Sequence, residues 1–341
     1  MVKQATQAGA KSVSGGGASS LSIWAAMLAV YIVWGSTYLA IRFAIETMPP
    51  FLMASTRFIL AGAILYAFRR LRGDPAPTRI EWRSAAIVGL FLLVGGNGGV
   101  VWAEQFVESG VAALLVGSAP LWMVMLDALR PGQAYLARKS ADKRQRFLST
   151  AGVVIGFLGI GLLVSPSSLT GIAGEVAPIG AAVLTLACFF WAVGSLYNRG
   201  AKLPASPLLG TGMEMLAGGL GLLLLGTLVG EWGRVDLGAV STRSLLGFGY
   251  LVLFGSLVGF AAYTWLLRVA PTALVSTYAY VNPLVAILLG NWLASEPITA
   301  RVLISTAVIL SAVAVITMNQ PSRRKPQPAP ARAVEPACGD D

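Results

Sequence analysis

The chain has 341 residues, 56% of them hydrophobic and 12% charged, with a mean hydropathy of +0.72; this excludes a water-soluble globular domain and places it in a bilayer. Histidine is absent and the two cysteines, Cys188 and Cys338, stand in an apolar stretch and in a polar tail. That excludes His-dependent hydrolases, the usual zinc sites and a disulfide framework.

A polar leader, residues 1–20, contains a Gly-Gly-Gly run with Ser, Ala and Gln and is expected to be a disordered tail. The first apolar segment, 22–43, is longer than a signal-peptide core and lies behind that leader, so it is expected to be retained. It carries VYIVWGSTYLAIR, with Trp34, Ser36 and Thr37 in its middle and Arg42 at its end. Further segments of about 20 residues, the length a bilayer requires, follow at 50–69 (with Arg57), 83–103 (with GGNGG around Asn97), 108–129 (with Pro120) and 147–164. The next is 178–198, where FFWAVGSLYNR repeats the order Trp191, Gly194, Ser195, Tyr197, Arg199. Then come 208–230 (with Glu214), 244–267, 272–293 (with Tyr278, Tyr280, Asn282 and Pro283) and 298–318. None alternates in polarity as a barrel strand does, so all ten are predicted helices. Residues 319–341, rich in Pro, Arg and Ala, read as a second disordered tail.

The net charge of +10 is a topology signal. Ten spans put 20 of the 25 Lys and Arg residues on one side and four on the other, with Arg57 inside a span. The basic side is the cytoplasmic one by the positive-inside rule, which places both termini there and makes nucleic acid an improbable partner. One shift of 157 residues pairs Trp34 with Trp191, Arg42 with Arg199, Pro50 with Pro207 and Gly62 with Gly219; a shift of 163 pairs Trp102 with Trp265 and Pro120 with Pro283. Two halves of five helices follow. Five is odd, so the second half enters the membrane inverted, an arrangement common in secondary transporters.

Polar groups inside spans are costly and are functional candidates. Arg57 and its repeat-equivalent Glu214 lie at different depths, so a bridge between them is not expected; Glu46 or Glu104 is the expected partner of Arg57, and Arg199 or Arg268 that of Glu214. Each reads either as a structural lock or gate latch at its own mouth, or as a substrate- or proton-binding group. Pro120 and Pro283 are the mid-span prolines; each frees a carbonyl and suits a hinge or a static kink. Asn282 could satisfy the freed carbonyl or face a substrate. The glycines of GGNGG, Gly152 with Gly156, and Gly255 with Gly259 fit close helix packing, and Asn97 either bonds a neighbouring helix or lines a cavity. Trp34, Trp191, Tyr278 and Tyr280 lie deep enough to be cavity candidates beside Ser36 and Thr37.

The stretches WGSTYLAIRFAIETMPPFLMASTRFILAGAILY, LLVGGNGGVVWAE and STYAYVNPLVAILLGNWLASEPIT resemble the EamA-type members of the drug/metabolite transporter superfamily, and within them the YedA-like inner-membrane exporters, over residues 22 to 318. The resemblance implies an all-α integral membrane protein of ten transmembrane helices in two inverted five-helix repeats, 21–165 and 166–318. It also implies a central cavity built from helices 1, 3, 4, 6, 8 and 9, and export of small metabolites or drugs by alternating access. The family commonly has an acid just after the fourth helix of each repeat. Glu296 supplies it in the second half, whereas the first reads LDALRPGQ. No phosphate loop, metal site or cofactor motif is found. The expected partners are a small-molecule substrate, amino-acid-like or amphipathic, the lipid bilayer, and protons as candidate coupling ion; the sequence sets no oligomeric state. A receptor or structural membrane protein is the alternative, and an intramembrane enzyme the remotest reading.

Overall fold

A computed structural model describes residues 19–129, 143–165 and 176–318, and the described regular elements are all helical. The two expected tails lie outside the described residues, apart from Ser19 and Ser20. Ten helices follow in order: α1 (Ser20–Ile45), α2 (Pro50–Leu71), α3 (Arg79–Ala103), α4 (Ser109–Val116, then Ala119–Leu129), α5 (Lys143–Val164), α6 (Pro178–Asn198), α7 (Pro207–Leu228), α8 (Thr242–Leu267), α9 (Thr272–Val275, then Tyr278–Ala294) and α10 (Ala300–Met318). Among the described residues nine are long and apolar enough to cross a bilayer, while the apolar piece Tyr278–Ala294 of α9 has only 17 residues. The span expected at 272–293 is thus broken at Ser276 and Thr277, and the one at 108–129 at Gly117 and Ser118.

Local chemistry sets the ends. Ser19 caps α1 by accepting from Ser22 N at 3.1 Å, and Thr78 with Glu81 forms a capping box on α3. Proline opens α2, α6 and α7, where its missing N–H costs nothing. The middles of α3 (Leu90–Asn97) and α8 (Leu251–Val258) are wound as π-helix over eight residues each.

The packing repeats with the halves exchanged. α2 lies against α7, α4 against α9 and α5 against α10. The contacts of α1 with α8 and α9 are matched by those of α6 with α3 and α4. At the α2–α7 crossing Gly62 faces Gly212 O and Leu216 N, each at 2.9 Å from where a Cβ would stand, and Gly219 faces Ser55 O and Ile59 N at 3.2 and 3.0 Å. Residues 212 and 216 follow 55 and 59 by the same 157-residue shift, so one close approach is built twice around a pseudo-two-fold.

The shift grows to 163 because the α7–α8 connection, 229–241, is six residues longer than the α2–α3 connection, 72–78. Its chain turns at Gly230, φ 76°, into a 3₁₀ turn, Glu231–Arg234. There the buried Glu231 accepts from Phe51 N at 3.2 Å and Leu52 N at 2.9 Å. A carboxylate of the second half thereby closes the N-terminus of α2 in the first, where the helix dipole favours negative charge. Glu231→Ala strands both donors, and a loss of about 1–3 kcal/mol is expected. The check is the thermal midpoint of the detergent-solubilised chain, which should fall.

Candidate functional site

Each half offers a tryptophan to the other half's π-helical element. Trp34 of α1 packs on Gly259 of α8 so closely that no Cβ fits there, and its Nε1 donates to Gly255 O at 3.3 Å. Trp191 of α6 packs on Gly96 of α3, whose added Cβ would meet Trp191 Cε3 at 2.9 Å. Gly259 follows Gly96 by 163 residues, so the two contacts are images of each other.

Around Trp34 the rings of Phe260, Tyr263 and Tyr278 stand 5.0 to 5.3 Å away, two of them edge-on. Tyr31 OH meets Thr277 Oγ1 at 2.5 Å, at the break in α9. Asn282, its amide turned to donate, reaches Tyr31 O at 3.3 Å and Tyr278 O at 3.2 Å. It therefore ties α9 to α1 and does not supply the donor that Pro283 denies to Ala279. Ser36 donates to Val33 O and bonds Tyr250 OH at 2.7 Å; Thr37 donates to Trp34 O at 2.6 Å. Both hydroxyls are satisfied within the bundle. Trp34, Ser36, Thr37, Tyr278 and Asn282 thus share one α1–α8–α9 junction. Trp191 belongs to the α3–α6 junction; Asn97 follows Gly96 on α3, and its Oδ1 is buried with no hydrogen-bond partner among the described residues. Tyr280 belongs to neither, since its hydroxyl donates to Val313 O of α10 at 3.3 Å. Pro283 meets Gly117 where α4 is broken, three residues before Pro120.

Arg57 is buried on α2, its Nε donating to Ser256 Oγ at 2.9 Å and its Nη1 unpartnered. Neither expected carboxylate hydrogen-bonds it. Glu46 is held by Arg243 at 3.1 Å, and both oxygens of Glu104 are buried without a donor; the π-helical widening of α8 brings Ser256 to the guanidinium instead. Glu214 is half-buried and not paired to Arg199, which turns to Asp127; the side chain of Arg268 lies outside the described ones.

Two ion pairs join the halves at opposite ends of the bundle. At the end carrying the α1–α2 loop, Arg42 pairs with Glu296, which also accepts from Ser109 N at 3.0 Å, Ser109 Oγ at 2.9 Å and Gly110 N at 3.2 Å. Glu296 therefore caps the N-terminus of α4. It follows Ser295, a residue of positive φ (54°) that turns the chain back toward the bundle. At the other end Arg199, the repeat image of Arg42, faces Asp127 of α4 at 3.8 Å, with both side chains about as exposed as buried, 40% and 37%. Asp127 lies within α4, six residues before position 133, the one that corresponds to Glu296. The Glu296 face is latched and the Asp127 face loose. Sequence reasoning gave Glu231 no role and Glu104 only that of a partner for Arg57; the signal was an acid directly flanking an apolar span.

The EamA-like transporter family matches residues 21–165 and 178–318. The chain is 38% identical over 302 residues to the uncharacterized inner membrane transporter YedA of Escherichia coli, covering 88% of this chain and 92% of that protein. Protein PecM of Dickeya dadantii is 29% identical over 301 residues, with 86% and 92% covered. A crystal structure at 21% identity superposes with a TM-score of 0.56 over 90% of this chain and 100% of the other, a likeness of fold.

Gly259→Val drives two methyl groups into the Trp34 indole, and overpacking of this kind costs about 1–3 kcal/mol. Folded yield by size-exclusion chromatography should drop sharply. Gly161→Val, on the open side of α5 where an added Cβ meets nothing within 4 Å, should leave it unchanged.

Proposed function

The chain belongs to the EamA-like transporter family, and from that premise we propose that it exports small metabolites or drugs across the inner membrane by alternating access. It is a multi-pass membrane protein with a transport role; direction, cargo and mechanism are our reading. The observation that carries this reading is a pair of Arg–carboxylate contacts between the halves, Arg42–Glu296 and Arg199–Asp127, made by repeat-related arginines with unrelated acids, one tight and one at 3.8 Å. Two such latches at opposite ends serve a protein that closes one mouth while it opens the other.

The charge asymmetry of the sequence supports placing the Glu296 face in the periplasm, with both termini cytoplasmic. The repeats 21–165 and 166–318 rock about Pro120 and Pro283, whose helices α4 and α9 cross at Gly117. Trp34, Tyr278 and Asn282 on one side of the pathway and Asn97 and Trp191 on the other receive the cargo. Aromatic surface with few charges favours amphipathic or neutral zwitterionic solutes. Arg57 holds α2 to α8 at the outer mouth, and Glu214 serves the cytoplasmic half of α7.

Purified protein in liposomes should show counterflow with at least one solute from a panel of amino acids, nucleosides and aromatic drugs; silence with every one would sink the export reading. For that solute Trp34→Ala should forfeit about 0.5–1.5 kcal/mol of binding, seen as a severalfold rise in the half-saturating concentration at normal expression.

A further inference from the structure

Three carboxylates crowd the Glu296 face, and they do not share its donors equally. Glu296 takes Arg42, two backbone N–H groups and the Ser109 hydroxyl. Glu108, half-buried, precedes the first turn of α4 and makes no side-chain cap there. Glu104, at the end of α3, is 5% exposed, and neither of its oxygens meets a donor in good hydrogen-bond geometry among the described residues, the Arg42 backbone N–H exerting only a weaker pull. The charged and titratable groups around it are Tyr38 and Arg42 from α1, Arg57 from α2, and Glu296 from the turn after α9. Arg42 is committed to Glu296, and Arg57 turns its Nε to Ser256 and hydrogen-bonds neither oxygen of Glu104.

An ionised carboxylate buried without a donor is among the costliest arrangements a protein can hold, and the ordinary remedy is a proton. Burial pushes the Glu104 carboxyl well above the usual carboxylate range, and the charge of Glu296 pushes it further, against the smaller opposing pull of the Arg42 guanidinium and backbone N–H and of Arg57. Glu108 is raised as well, by burial and then by Glu296, while it keeps more access to water.

We propose that Glu104 is a proton-binding site of this mouth: it carries a proton while the Arg42–Glu296 latch is closed and gives it up to water when the mouth opens. On opening, Arg42 leaves Glu296, water reaches Glu104, and the proton passes from its Oε to that water. On closing, a proton from the outer solution returns to the same oxygen. The sign follows. The carboxyl's affinity for a proton is higher in the closed form, so acid favours closure below the open-state pKa, and that preference is lost as pH rises through the closed-state pKa. The coupling consequence, a proton boarding at the mouth by which cargo leaves, rests on the export reading above. The protonation itself does not, and it is tested without cargo.

The experiment uses the purified full chain in detergent. The infrared difference spectrum of wild type minus Glu104→Gln at neutral pH should contain the C=O stretch of a protonated carboxyl; carboxylate bands in its place overturn the assignment. In parallel, Val111→Cys, in the first turn of α4 beside Glu296, reports opening through its rate of reaction with a maleimide, normalised to a free thiol at the same pH. In the Cys338→Ser background this rate should rise about tenfold between about pH 5 and about pH 8, the change that one unit of pKa difference between the two forms produces. With Glu104→Gln added it should stay flat at the slow, acid value, whereas Glu108→Gln should keep the rise. A flat wild type, or a rise that survives Glu104→Gln, overturns the proposal. If Glu104→Gln is not recovered, Glu104→Asp should displace the midpoint, and an unmoved midpoint is equally fatal. Failure of counterflow with a positive result here would remove the export reading and leave the proton site standing.

Discussion

The Glu296 carboxylate is the contact on which the closed end of the bundle depends. In a bilayer the first N–H groups of a helix cannot turn to solvent, and every acid near the apolar core must find donors or lose its charge. Glu296 meets both demands together, since its two oxygens cover the start of α4 and hold Arg42 at the end of α1. Four donors on one carboxylate make this end cohesive. Arg42 and the first N–H groups of α4 are spent there, and Glu104 beside them goes without a side-chain hydrogen bond among the described residues.

The same economy of donors runs through the helix crossings. Neither Gly62 nor Gly219 leaves room for a side chain, so α2 and α7 meet backbone to backbone, the mode of association open to helices that gain nothing by hiding from lipid. At the α1–α8 junction Gly247 makes a similar approach to Ala40 O, at 2.9 Å, and a tryptophan is added to it; at α3–α6 Trp191 packs on Gly96. The π-wound segments of α3 and α8 lie next to both, widening the helix where an indole and, beside Ser256, a guanidinium must enter.

Much of this was legible in the chain. Span length and hydropathy gave the helices within a few residues, and the shared offsets of Trp34 with Trp191 and Gly62 with Gly219 gave the repeat, because membrane packing ties residue type to position. The π segments were not legible: LFLLVGGN and LVLFGSLV have the composition of any apolar helix, and the tryptophans packed beside them, Trp191 and Trp34, come from distant helices. The surroundings of Arg57 were legible in part. Glu104 lies close enough to act on its charge, as expected, while its hydrogen bond goes to the neutral hydroxyl of Ser256 on α8. Glu231 went unweighted, and Glu104 was read only as a partner for Arg57, because an acid at the edge of a span looks like an ordinary loop residue until its burial is known.

The two loops that follow α2 and α7 give the molecule a polarity that its duplication lacks. Two halves related by inversion would present chemically similar ends, and neither conformation would be the natural resting one. Gly230 and Glu231 are the images of Gly73 and Asp74, and both glycines hold a positive φ. Yet Glu231 takes two backbone N–H groups of α2 in the other half, on the face that Glu296 also seals, whereas Asp74 is held by Arg69 of its own half and bonds the Ser206 side chain ahead of α7. One end of the protein is therefore closed on backbone donors and the other through side chains. A symmetric rocking frame becomes a biased one, and the bias is written in the partners of two loop carboxylates rather than in any residue along the pathway.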